Sequence, residues 1–200
     1  MTLVIVVLAI QNFWLFTSVI CFICFYSLYE WIQNKFKNIF FGFLLIFNFG
    51  FWSIFLLSYS KLSDYYDAHT LFFLYGIIIF NTALFDTFAF IIGSKFGRIY
   101  IVKKISPNKT LEGLIGGLLA SLFLGIFSAM NAEANFLIVI YFTLGGFFAF
   151  IGDLLISYFK RLSDVKDTGT LLPGHGGVLD RIDSHLLATP ILIIIFLLSQ

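Results

Sequence analysis

The residues best suited to chemistry gather between positions 153 and 183. Asp153, Ser157, Lys160 and Arg161 stand at i, i+4, i+7 and i+8, which on an α-helix is one face. Asp180 and Asp183 are three apart and can share a second face at the head of the next helix. Three carboxylates and a hydroxyl make a hard oxygen set that suits Mg²⁺. They do not suit zinc, which takes nitrogen and sulfur. Between the two acidic groups lies Pro173-Gly174-His175-Gly176-Gly177. Glycines let backbone N–H groups approach an anion, and such a turn before a helix N-terminus is a phosphate-binding arrangement. Lys160, Arg161, Lys166 and Arg181 bring cations to neutralise further phosphate charge. The plainer alternative is a basic loop that only sets topology. It leaves unexplained the acid at Asp153, inside an apolar run, and the glycines around a histidine.

The elements that position these residues belong to a membrane. The 200-residue chain is 60% hydrophobic and 12% charged, with a mean hydropathy of +1.00, whereas a soluble domain carries roughly 25% charge. Twelve Lys/Arg and eleven Asp/Glu cannot cover a globule, and their net charge is only +1. That excludes a soluble monomer, disorder and a nucleic-acid binder driven by net charge. A helix needs about 20 apolar residues to cross the hydrocarbon. Six stretches qualify, at 2–29, 38–59, 68–93, 112–130, 134–159 and 184–199. In lipid the backbone must be satisfied internally, and these runs are too long for barrel strands. The expected fold is therefore all-α, a polytopic integral membrane helical bundle of six spans forming one domain over 1–200. The first stretch has no basic residue ahead of it and no small-residue cleavage site, so it is expected to be a retained helix, not a signal peptide.

The loops set an orientation. With six spans, the first, third and fifth loops share a side. They hold Lys35 and Lys37; Lys95, Arg98, Lys103, Lys104 and Lys109; and Lys160, Arg161, Lys166 and Arg181. That is every basic residue except Lys61. The positive-inside rule puts this side in the cytoplasm and both termini outside.

Three segments carry a family resemblance. Ser157-x-x-Lys160-Arg161, Lys166-Asp167 and then Leu172-Pro173-Gly174-His175-Gly176-Gly177-x-Leu179-Asp180-Arg181-Ile182-Asp183 resemble the signature of the phosphatidate cytidylyltransferases, also called CDP-diacylglycerol synthases. Asp86-Thr87-Phe88-Ala89-Phe90-Ile91-Ile92-Gly93-Ser94-Lys95-Phe96-Gly97 is similar to the family's Asp-x-x-Ala-Tyr-x-x-Gly-Arg-x-Phe-Gly. Ser106-Pro107-Asn108-Lys109-Thr110-Leu111-Glu112-Gly113 is similar to its Ser-Pro-x-Lys-Thr-x-Glu-Gly. The order matches too, and the resemblance covers 86–184. Over 1–85 it rests on hydrophobicity and on Glu30-Trp31, an acidic-aromatic pair near an early helix end. Phe90 replaces the family tyrosine, Ser94 and Lys95 stand where the arginine is expected, and the N-terminal region is short for a bacterial member.

The resemblance implies transfer of the cytidylyl group of CTP to phosphatidic acid, giving CDP-diacylglycerol and pyrophosphate. It implies Mg²⁺ on Asp153, Asp180 and Asp183 with Ser157, and three carboxylates leave room for a second cation. It puts Lys160, Arg161, Lys166 and Arg181 on phosphates, Gly174, His175, Gly176 and Gly177 around the triphosphate, and Lys109, Asp86 and Asp167 on the substrate side. His175 would be a phosphate donor or a turn contact, or else a general acid. The implied setting is a bacterial cytoplasmic membrane, with the site facing the cytoplasm and the chain forming a homodimer.

Other polar residues have plainer readings. Glu112 is expected to cap the fourth span or to pair structurally, and His69 and His185 to sit at the interface. Cys21 and Cys24 are expected to be inert thiols, and Gly116, Gly117, Gly145 and Gly146 to allow close helix packing. Two related activities share the metal and nucleotide requirement, namely a CDP-archaeol synthase and a lipid-alcohol kinase. A transporter would carry its charges near the midplane on several spans, whereas Asp86, Asp153, Asp180 and Asp183 cluster toward one face.

Overall fold

A computed structural model describes residues 8, 10–62, 66–131, 136–169 and 176–199. Its helices are α1 (Phe13–Gln33), α2 (Ile39–Ser58), α3 (Ala68–Phe96), α4 (Leu111–Asn131), α5 (Leu137–Leu162), the single turn α6 (Leu179–Ile182) and α7 (His185–Leu198), with a 3₁₀ turn at Tyr59–Lys61. No strand occurs among the described residues. An isolated bridge pairs Tyr100 with Thr110 and closes the loop between α3 and α4. Six helical stretches are long and apolar enough to cross a membrane, the last being Leu179–Leu198 taken as a whole. The chain is an integral membrane protein with an all-helical fold.

Local chemistry places the helix ends, and several differ from the spans expected. Residues 2–7 of the first expected span lie outside the described residues; the helix from Phe13 is set off by Gln11, which is left-handed, and by Asn12, which caps it by accepting from the Leu15 amide at 3.1 Å. It also runs on to Gln33, because Glu30 is retained inside it. The turn to α2 is made with Lys35 and Asn38 at φ 53° and 58°. Asp67 caps α3 by accepting from the Thr70 amide at 3.2 Å, and Thr70's side-chain and backbone hydrogen bonds hold its carboxyl below the usual carboxylate range. Thr110 caps α4 by accepting from the Gly113 amide at 3.2 Å. Glu112, expected to cap the same helix or to pair structurally, accepts from the Arg98 and Ile99 amides, at 3.0 and 3.3 Å, and so ties down the chain leaving α3.

The chain folds into two compact units, each made of two segments. The first comprises Met1–Ile78 with Phe159–Ile182. Its core holds Phe16 edge-on to Tyr75, with ring centroids 5.0 Å apart, and Tyr75 donates to Ser53 Oγ at 3.2 Å. Buried Trp31 packs onto Gly42, where a side chain would collide with the indole, and lies 4.8 Å from the Phe159 ring. On α2, Phe43, Phe47, Phe51 and Phe55 stack turn upon turn, an apolar ladder suited to lipid contact.

The second unit comprises Ile79–Tyr158 with Asp183–Gln200. Phe85, Ala149, Phe150 and Ala188 form its core. Small residues let the helices close in, as expected of the paired glycines. A Cβ on Gly117 would stand 2.6 Å from the Phe85 ring, and one on Gly145 2.6 Å from Leu192.

Candidate active site

In the second unit, residues from all three motif segments come together. Lys109, on the loop before α4, forms an ion pair with Asp153 on α5. Its ammonium also lies 4.9 Å from the centre of the Phe150 ring, one turn earlier on the same helix. The pair is only partly shielded, with side chains 17% and 27% exposed. Ser157, one turn after Asp153, donates to it at 3.2 Å, as the i, i+4 spacing predicted. Asp86 on α3 accepts from the Ser184 hydroxyl and lies close enough to Asp153 and Lys109 for the three charges to interact. Ser184 also donates its amide to Asp183 at 2.8 Å. This approach requires Gly152, since a Cβ there would stand 2.6 Å from the Asp183 carbonyl. His185, expected at the interface, is instead buried, and its Nδ1 has no partner among the described residues.

The first unit holds a different construction. Lys160, near the end of α5, pairs with Asp180 at 2.8 Å, and both are well buried, at 12% and 8% exposure. The other Asp180 oxygen accepts from the amides of Thr168 at 2.7 Å and Gly177 at 3.0 Å. Gly176 has φ +78°, a conformation that favours glycine, and a Cβ there would lie 2.7 Å from Asp180 Oδ2. Asp180 is thus a clamp that joins the two ends of the segment between Thr168 and Gly177. Gly174 and His175, within that segment, lie outside the described residues. Arg161, Lys166, Asp167 and Arg181 are solvent-exposed. Arg161 donates to the Val165 carbonyl at 3.4 Å.

The single turn α6 ends at Ile182, so Asp180 lies within it and Asp183 in the two-residue turn before α7; Asp180 belongs to the first unit and Asp183 to the second.

Two residues of the first unit carry more of the construction than their sequence context suggests. Glu30 is 1% exposed. It accepts from the Thr168 hydroxyl at 2.8 Å, the Val178 amide at 2.9 Å and the Leu179 amide at 2.8 Å. Asn34, one turn later, donates to the Thr168 carbonyl at 2.6 Å. The available signal was an isolated acid inside an apolar helix. Its partners lie about 140 residues away and could not be read from spacing.

The donor set of the second unit fits Mg²⁺ in kind. Asp86, Asp153 and Asp183 with two serine hydroxyls are hard oxygens, and Lys109 is the cation set among them. As the side chains stand, no three His, Cys, Asp or Glu among the described residues converge on one point. Lys109 fills the position facing Asp153. Asp180 fits less well, because three donors already occupy its two oxygens, and an ion there would have to displace Lys160.

Comparison with known proteins agrees with the motifs. The profile of the cytidylyltransferase family matches residues 1–199. A phosphatidate cytidylyltransferase of Staphylococcus haemolyticus is 43% identical over 117 residues, which is 57% of this chain and 45% of that protein. One from Staphylococcus aureus strain COL is 43% identical over 121 residues, 58% of this chain and 46% of that protein. One from Staphylococcus epidermidis is 40% identical over 117 residues, 57% and 45%. The chain spans about half the length of the curated relatives it matches.

Proposed function

The chain belongs to the cytidylyltransferase family, and from that membership we propose that it makes CDP-diacylglycerol and pyrophosphate from CTP and phosphatidic acid. The observation that carries this reading is the meeting, within one compact unit, of Asp86, Lys109 and Asp153 with Ser184, which joins Asp86 to Asp183. Asp86, Lys109 and Asp183 come from the three separate motif segments. An assembly of acids around one lysine suits the charge-dense phosphates of a nucleotide and a lipid.

In the proposed reaction an oxygen of the lipid phosphate attacks the α-phosphorus of CTP. The bond from that phosphorus to the bridging oxygen breaks, and pyrophosphate departs. The nucleophile is already ionised at neutral pH, so no side chain has to remove a proton. The protein's tasks are alignment and charge stabilisation. Lys109, Lys160, Arg161, Lys166 and Arg181 offer cations to the phosphates. Gly174, His175, Gly176 and Gly177 are proposed to line the triphosphate, and Asp167 precedes them in the sequence. Asp153 and Asp183 with Ser157 would hold Mg²⁺; Asp180 would offer its carboxylate to an ion only by releasing Lys160. When bound, the ion would neutralise charge on the phosphate oxygens. The proposed setting is a bacterial cytoplasmic membrane, with the basic loops and the chemistry on the cytoplasmic side. There a water-soluble nucleotide meets a membrane lipid.

The test is to incubate purified protein with phosphatidic acid, radiolabelled CTP and Mg²⁺. Label is expected in a liponucleotide. Release of CDP with phosphorylated lipid would instead mark a kinase, a strict preference for ether-linked lipid would mark an archaeol enzyme, and no lipid-linked label would overturn the reading.

A further inference from the structure

The second unit carries an exposed groove that the candidate site does not use. It lies between α3 and α4, has a volume of about 440 Å³, and is lined by Leu84, Phe88 and Ile92 from α3 and by Ala120, Phe123 and Phe127 from α4. Every lining residue is apolar. Ala120 is small and buried and forms the floor, while Phe88 and Phe123 stand 41% and 66% exposed as its walls. At one end the two helices close together, where a Cβ on Gly116 would stand 2.4 Å from the Ile92 side chain. From Gly116 to Phe127 the α4 lining runs about 16 Å. That is half of the ~30 Å hydrocarbon, the depth of one leaflet and so the reach of one lipid chain.

Charge stands at the closed end. Leu84, Phe88 and Ile92 follow one stripe of α3, and Lys95 continues it a turn later, exposed and with no ion-pair partner among the described residues. Arg98 is held at the same end, because its amide and that of Ile99 donate to Glu112, one turn before Gly116 on α4. The Glu112 carboxylate is spent on those two amides, so cations prevail there. The loop that follows is fixed in place. The Leu111 amide donates to the Ile99 carbonyl at 2.8 Å, and the Ile101 amide to the Lys109 carbonyl at 3.0 Å. Lys103, 4.8 Å from the centre of the Tyr100 ring, and exposed Lys104 extend the basic surface.

We propose that this is a phospholipid site: the groove takes one acyl chain of an anionic lipid of the surrounding bilayer, and Lys95 with Arg98 takes its phosphate. Groove and cations select the ligand together. The groove alone would accept a chain of any lipid, and the cations alone would accept a soluble phosphate. A lipid with a net negative headgroup satisfies both, whereas a zwitterionic one brings its own ammonium to the same cations. The inference rests on membrane residence and on these contacts, and is independent of the proposed transfer reaction.

The experiment titrates the full chain in detergent micelles with phosphatidylglycerol or phosphatidylcholine and counts retained lipid by native mass spectrometry. Each cation near a headgroup is worth roughly five-fold in affinity, so wild type is expected to prefer phosphatidylglycerol by about twenty-fold. Lys95→Gln is expected to lower that preference about five-fold. Lys37→Gln, the same charge change in the first unit, is expected to leave it within about two-fold. Equal losses in the two variants would mean a diffuse attraction and overturn the site. Ala120→Leu raises the floor and displaces at least one methylene of the chain, so retention of both lipids is expected to fall about four-fold. Unchanged retention there would overturn the role of the groove. If Ala120→Leu does not fold, Phe123→Ala removes a wall and carries that arm with the same sign. Inorganic phosphate that displaces the lipid at equal concentration would overturn the lipid as ligand. In a chain carrying Cys21→Ser and Cys24→Ser, rapid oxidation of Phe123→Cys to a covalent dimer would also overturn it, by showing that a second copy covers this face.

Discussion

Lys109 and Asp153 show how much of the chemistry depends on single contacts. The motif puts Lys109 on the substrate side, and the structure places it on a carboxylate and over the Phe150 ring. Lys109→Met keeps an apolar stem near Phe150 but removes the charge. Because the pair is partly open to solvent, the expected loss of stability is modest, about 1 kcal/mol by thermal unfolding. Liponucleotide formation is expected to fall by roughly a hundred-fold, because the charge faces developing negative charge. Activity within two-fold of wild type would remove Lys109 from the site. Asp180 separates two roles in a similar way. Asp180→Asn loses the ion pair with Lys160 and weakens the hold on Thr168 and Gly177. It is expected to abolish turnover and to speed hydrogen exchange at Gly177. Lost turnover with unchanged exchange would mean that the carboxylate acts on the substrate or a metal and not as a clamp.

Helices meet through glycines here, and the consequences can be separated by position. On α5, Gly152 lies against the backbone of Asp183 and Ser184, and backbone cannot move aside as a flexible side chain can. Gly152→Ala is expected to cost about 1–3 kcal/mol in thermal unfolding and to reduce turnover by displacing Asp183. On α3, a Cβ at Gly76 would meet, among the described residues, only Leu8 at an ordinary 3.9 Å. Gly76→Ala is expected to be neutral or to stabilise by about 0.5–1 kcal/mol through helix propensity. A Gly152→Ala protein as stable as wild type would show that α5 does not need this close approach. Neither outcome was legible in sequence, where both residues are simply glycines in apolar runs.

At the scale of the whole molecule, the distribution of charge makes a prediction about topology. In a chain carrying Cys21→Ser and Cys24→Ser, single cysteines introduced by Lys37→Cys, Lys103→Cys and Lys166→Cys are expected to react with impermeant thiol reagents from the cytoplasmic side. Lys61→Cys is expected to react from the other side. Reaction of Lys103→Cys from outside would reverse the orientation. Membrane residence, six apolar helices and the candidate segments were all determined by the sequence alone, because they follow from composition, run length and spacing, which are local properties of the chain. The Ser157–Asp153 contact belongs to the same class, one turn of one helix. Only the tertiary structure decided that a turn interrupts the helix between Ile182 and His185, that Ser184 bridges Asp86 and Asp183, and that Glu30 takes its donors from Thr168, Val178 and Leu179, about 140 residues away. A helix period cannot encode those contacts, because a buried carboxylate must find its donors wherever packing brings them. The packing in turn depends on where glycines let backbones touch.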